Sequence, residues 1–174
     1  MGLATLFVTA LVLGFSGAMM PGPLMTATIN ESYHRGFSAS PRMMLGHSGL
    51  EFVLVVGLLL GLDKFILIPL VKTMIALIGG LFLIWMAWGI LKDVGLNKVK
   101  LELAVTGSKQ RLNPEIIGIL TSLSNPYWSL WWATIGLSYL LLAYEQGLGG
   151  ILAFFLGHIS PDFIWYSLIA LVIT

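Results

Sequence analysis

Two carboxylates stand inside apolar stretches of this chain, Glu51 in Leu50-Glu51-Phe52-Val53-Leu54 and Asp162 in Pro161-Asp162-Phe163-Ile164-Trp165. Each follows a histidine by four residues, His47 and His158. Residues i and i+4 share one face of a helix. Each pair could therefore share a hydrogen bond or a proton, with imidazole close to its switching pH. A charge at bilayer depth costs ~2.5–3.5 kcal/mol on insertion scales, so an intramembrane acid marks an ion or substrate pathway by default. His47, Glu51, His158 and Asp162 are thus candidate proton-coupling groups. Two imidazoles and two carboxylates could also hold a divalent cation, although the His-Glu-x-x-His of a metalloprotease helix is absent. A structural polar cluster is the third reading.

Proline supplies the second kind of candidate. Pro21-Gly22-Pro23 and Asn125-Pro126 interrupt two hydrophobic segments. Proline lacks an N–H and clashes with the preceding turn, so it frees a carbonyl from the helix ladder. Freed backbone groups at that depth are tolerated only in protein or against a wet cavity. Interrupted helices in both halves of a transporter point to the binding site. Pro21, Gly22, Pro23, Asn125 and Pro126 are therefore candidate substrate-binding positions. Trp128, Trp131 and Trp132 follow the second break within two turns and could wall a cavity. Trp131 is the candidate here, with a face suited to a cation; core or lipid contact is the simpler reading of the group.

Such residues need elements that hold them in lipid. Hydrophobic residues make up 57% of the 174 and charged residues 10%, with mean hydropathy +0.94; an ordinary soluble domain is ~25% charged. That composition disfavours a soluble enzyme, and a net charge of +1 gives no footprint for nucleic acid. No cysteine is present, which removes disulfides and thiolate sites. Five segments of roughly the ~20 residues that a spanning helix needs are expected: about Gly2–Ile29, Met43–Gly61, Ile66–Leu91, Ile116–Ala143 and Leu148–Thr174. The first lacks a basic n-region and exceeds a usual signal-peptide core. Arg35 and Arg42 lie between segments one and two, and Lys92, Lys98, Lys100, Lys109 and Arg111 between three and four. By the positive-inside rule these loops face the cytoplasm and the N-terminus faces outside. Glu31 and His34 read as loop residues, and Pro161 suggests local unwinding beside Asp162. Residues 93–113 read as a flexible cytoplasmic linker.

The halves echo each other. Gly46-His47 is followed by Glu51-Phe52, and Gly157-His158 by Asp162-Phe163; each comes after a proline break, by 25 residues from Pro21 and by 31 from Pro126. Three helices per half would turn the second copy over, giving an inverted repeat. The expected fold is an all-α membrane protein with repeats at 1–92 and 114–174. The second repeat is incomplete, its sixth helix missing from this chain by truncation or supplied elsewhere.

These motifs resemble the lysine exporter (LysE) family, which includes threonine and homoserine exporters. They are Gly14-Phe15-Ser16 with Pro21-Gly22-Pro23, Gly46-His47 with Glu51, Ser124-Asn125-Pro126, and Gly157-His158 with Asp162 and Trp165. The resemblance covers essentially the whole chain. It implies a six-helix inner-membrane exporter of amino acids or related small metabolites, driven by the proton gradient and often dimeric, with no cofactor. The wider superfamily includes metal-ion exporters, which keeps a divalent-cation exporter using the same four side chains as the alternative. No nucleophile–base spacing supports an enzyme.

Overall fold

The computed structural model describes residues 2–62 and 112–174, with isolated positions between 64 and 92. Most of the expected third segment, Ile66–Leu91, and nearly all of the 93–113 linker lie outside the described residues. The rest is helical: α1 Leu3–Ala18, α2 Pro23–Arg35, α3 Ala39–Gly57, α4 Pro114–Leu123, α5 Pro126–Trp131, α6 Leu137–Tyr144 and α7 Gly147–Ile173. Wider π-type turns continue α3 through Leu58–Leu62 and join α5 to α6 through Trp132–Gly136.

Burial shows which solvent the fold is built for. The buried stripe of α7 is Gly150, Phe154, Gly157, His158, Pro161, Asp162, Tyr166 and Ala170. Its exposed residues include Leu148, Leu152, Leu156, Ile164, Leu168, Leu171 and Val172. Small, aromatic and ionisable residues face inward and leucines outward. A water-soluble helix would turn its polar residues out, whereas lipid rewards this arrangement. Among the described residues two helical stretches, Ala39–Gly61 and Gly147–Ile173, are long and apolar enough to cross a membrane, and α1 with α2 makes a third if counted as one span. Several hydroxyls within the helices bond back to carbonyls a turn earlier, as in Thr134 to Leu130 O (2.6 Å) and Ser160 to Leu156 O (2.6 Å), which lowers the cost of placing them in hydrocarbon; the buried hydroxyls of Thr28, Ser32 and Ser40 have no partner among the described residues.

Both breaks fall where the prolines put them. Pro23 and Pro126 occupy the first helical positions of α2 and α5, where the missing N–H costs nothing. The chain bends 77° between α1 and α2. Two sequence expectations are corrected. Glu31 and His34 lie on α2, not in a loop; this polar stretch is bracketed by Pro23 and by Gly36 at φ +80°, and an ion pair of Arg35 Nε with Glu31 Oε2 (2.6 Å) closes one turn. The helix around Pro161 is not unwound: α7 runs through it.

Glycines bring the helices together. A methyl on Gly46 would overlap the backbone of Glu115, and one on Gly118 the backbone of Met43. Arg42, Met43 and His47 on α3 thus meet Glu115, Gly118 and Ser122 on α4 in order, so these helices run parallel. Likewise a methyl on Gly157 would meet Phe7 O, and one on Gly14 would meet His158 O at 2.7 Å and Pro161 Cγ at 3.0 Å. Leu3 lies beside Gly149, so α1 and α7 are parallel too.

Candidate functional site

Parallel packing sets the four ionisable side chains against one another. His47, Glu51, His158 and Asp162 are all buried, Glu51 to 1% exposure. His158 Nε2 stands 3.1 Å from one Glu51 oxygen and 3.3 Å from the other. His47 Nε2 stands 3.4 Å from Glu51 Oε1 and 3.8 Å from Asp162 Oδ2. The i,i+4 geometry foreseen for His47 and Glu51 is present, but the shortest imidazole–carboxylate approach joins α7 to α3.

Glu51 is further anchored by the tryptophans. Trp128 Nε1 and Trp132 Nε1 donate to the same oxygen, Glu51 Oε1, at 2.9 and 2.8 Å. Hydrogen bonds to an ionised acceptor are about twice as strong as neutral ones, and a buried carboxylate requires them. Asp162 has no such set: His47 faces it beyond hydrogen-bond distance, and no side chain among the described residues donates to it. On the other edge of His47, Nδ1 lies 2.7 Å from Ser122 Oγ, whose hydroxyl donates to Gly118 O at 2.7 Å. With its single hydrogen spent there, Ser122 must accept from His47 Nδ1–H.

These groups line one small cavity of about 50 Å³ with Gly14, Gly17, Gly22, Leu24, Asn125, Trp131 and Tyr166. That is room for a few water molecules. The two helix breaks meet at it, since a methyl on Gly22 would lie 3.7 Å from Asn125 Nδ2. Of the expected substrate positions, Gly22, Asn125 and Trp131 border the cavity. Pro21, Pro23 and Pro126 are not among its lining residues, and the latter two start the helices on either side. Trp131 stacks on His158 with centroids 4.2 Å apart and planes at 17°, so one face is taken by an imidazole and is not open to a substrate cation.

Sequence reasoning did not assign Ser122, Trp128 and Trp132 as partners of the ionisable groups. Trp128 and Trp132 sit four apart, which places both indoles on one helix face, but only the α3–α4 approach shows which acid that face meets.

The LysE type translocator family matches residues 15–174. No curated protein and no solved structure matches the chain.

Proposed function

We propose, from the premise that the chain belongs to the LysE type translocator family, that this integral membrane protein is a secondary active exporter of amino acids or similar small metabolites. It works by alternating access, is coupled to protons, and lies in the inner membrane with its N-terminus outside. The observation that carries the reading is the convergence of both helix breaks and both histidine–acid pairs on a single cavity.

The proton requirement follows from valence. His47 donates from Nδ1 to Ser122, so a neutral ring presents the Nε2 lone pair to Glu51 and Asp162. Lone pair against two carboxylates is repulsive. A proton on Nε2 or on one carboxyl removes the repulsion, so the cluster holds at least one exchangeable proton. Asp162, poor in donors, is the acid open to a new partner, whether proton or substrate ammonium. Glu51 is the fixed anchor.

An inverted repeat of 1–92 and 114–174 about the 93–113 linker is supported by two exchanges. Swapping the halves turns the His158–Glu51 pair into the His47–Asp162 pair, and the parallel α1–α7 contact into the parallel α3–α4 contact. The cavity is small, about 50 Å³, so on this reading the halves rock apart to load an amino acid. Arg35 Nη2 donating to Leu112 O (2.8 Å) and Arg42 paired with Glu115 (2.7 Å) tie the halves at the end that the positive-inside rule assigns to the cytoplasm. Dimer formation remains part of the family-based reading.

A divalent cation as cargo is the second reading, because ligand atoms of His47, Glu51 and Asp162 all lie within 4.8 Å of one another. Glu51 Oε1 already accepts two indole hydrogens, so an ion would bind this carboxylate through Oε2, which has no hydrogen-bond partner among the described residues.

The deciding experiment is export from proteoliposomes under an imposed pH gradient. Asp162→Asn is expected to uncouple export from the gradient, and Glu51→Gln to lower export outright. Gradient-driven export that survives both substitutions removes the coupling role. Metal uptake lost on His158→Ala, with no amino-acid movement, would install the cation reading instead.

A further inference from the structure

We propose that the N-terminus of α2 and the indole N–H of Trp131 form a carboxylate subsite on the cavity wall. The substrate then binds as a zwitterion, with its carboxylate at α2 and its ammonium toward Asp162. The proposal rests on the exporter reading and adds the polarity with which a substrate lies in the site.

The two breaks are built alike but finished differently. In both, proline takes the first helical position and one residue precedes it as N-cap. At α5 that residue is Asn125, whose Oδ1 accepts from Tyr127 N at 3.1 Å, so the helix start is satisfied by its own chain. At α2 it is Gly22, which has no side chain, and nothing caps the helix. Thr26 N already bonds Gly22 O, leaving the Leu24 and Met25 amides as helix-start donors without an intrahelical acceptor. Gly22 and Leu24 border the cavity. A helix start of this kind carries a partial positive charge and donors aimed outward, the two requirements of an anion site.

The second observation is independent of the helix. Trp131 is 6% exposed, lines the same cavity, and its Nε1 has no hydrogen-bond partner among the described residues. Indole nitrogen is a donor only, and leaving it unmade in a buried site is costly. Gly17, another lining residue, leaves open the space beside this nitrogen, since even a methyl there would stand 3.9 Å from it. The uncapped start of α2, through Gly22 and Leu24, and the unpartnered Trp131 therefore border a cavity whose acidic residues are Glu51 and Asp162. An α-amino acid places an acceptor pair and a cation on adjacent atoms, which answers both.

Gly22 offers a direct test because its backbone is extended, φ −166°, and an added Cβ would make only ordinary contacts, 3.7 Å to Asn125 Nδ2 and 3.9 Å to Met20 O. Gly22→Asp would place a tethered carboxylate over the free amides and act as a built-in competitor; Gly22→Ala adds the same Cβ without an acceptor. The purified protein is placed in proteoliposomes loaded with the common L-amino acids or with the corresponding amino-acid amides, and efflux is followed by mass spectrometry. The expected result is efflux of a subset of the free acids and at least tenfold less of their amides. KM in Gly22→Asp should be at least tenfold above that in Gly22→Ala, and Trp131→Phe, which keeps a ring against His158, should raise KM about tenfold. If amino acids leave but amides leave equally well and the two Gly22 variants match, the subsite is wrong while the exporter reading stands. If no amino acid leaves, both fall.

Discussion

The α3–α4 approach holds the site together, and one methyl tests it. In Gly118→Ala the new Cβ would coincide with the Met43 carbonyl. The obstacle is backbone, so no rotamer change relieves it and the helices must part along the line where Gly46 meets Glu115. Overpacking costs 1–3 kcal/mol in general, and a backbone obstacle belongs at about 3. Alanine also gains up to about 1 kcal/mol in helix propensity over glycine, which reduces the net loss to about 2. Gly49→Ala on the same face-to-face pair of helices is the internal control, since no atom lies within 4 Å of its Cβ position and only the propensity gain applies. For a chain of this size each kcal/mol moves Tm by roughly 2–4 °C, so the two variants should differ by about 6–12 °C in detergent or lipid. Ser122 lies one turn beyond Gly118, so parting the helices also lengthens the 2.7 Å bond from His47, and export should drop in Gly118→Ala alone. Equal melting of the two variants would refute the close approach and, with it, the geometry assigned to His47.

Ser122→Ala strips the acceptor from buried His47 Nδ1, and unfolding measurements should register a loss of about 1–3 kcal/mol. Trp128→Phe and Trp132→Phe each remove one donor to Glu51, at about 1.5–3 kcal/mol apiece. The double variant should lose more than the sum, because both indoles share Oε1 and in each single variant the survivor can recentre on it; strict additivity in a double-mutant cycle would contradict the shared acceptor. Arg42→Ala and Glu115→Ala break an exposed pair, so neither should measurably lower stability, and their coupling should vanish at high salt.

How far the residues foretell this site depends on the range of the force involved. The proline breaks and the His-x-x-x-acid spacing were legible because their causes are local: a missing N–H, and a helix face fixed by i,i+4. Glu31 and His34 were misread because α2 is polar enough to pass for a loop. It folds on local end signals, Pro23 at one end and Gly36 at the other, and on burial of Leu24, Thr28, Glu31 and Ser32 against neighbouring helices. Pro161 was misjudged in the opposite direction. The helix continues through it, and Pro161 packs beside Gly14 of α1, a contact that a single-helix pattern does not contain. Pairing across helices was the part no spacing could give. His158 stands four residues from Asp162, yet its short partner is Glu51, and that choice is made by which glycines let which backbones touch.

The same contacts explain why two similar halves make an unequal site. Counted from the proline that starts each helix, Trp128 and Trp132 on α5 and its extension correspond to Met25 and Ile29 on α2. The first pair brings two N–H donors to Glu51; the second can bring none to Asp162. Glu51 is therefore held by two indole donors, whereas no side chain among the described residues donates to Asp162. On the proposed exporter reading, a buried carboxylate short of donors is the one that a proton or a substrate cation would reach. On the same reading, Met25 and Ile29, which offer no donor where Trp128 and Trp132 offer two, are the asymmetry that would give proton movement a direction.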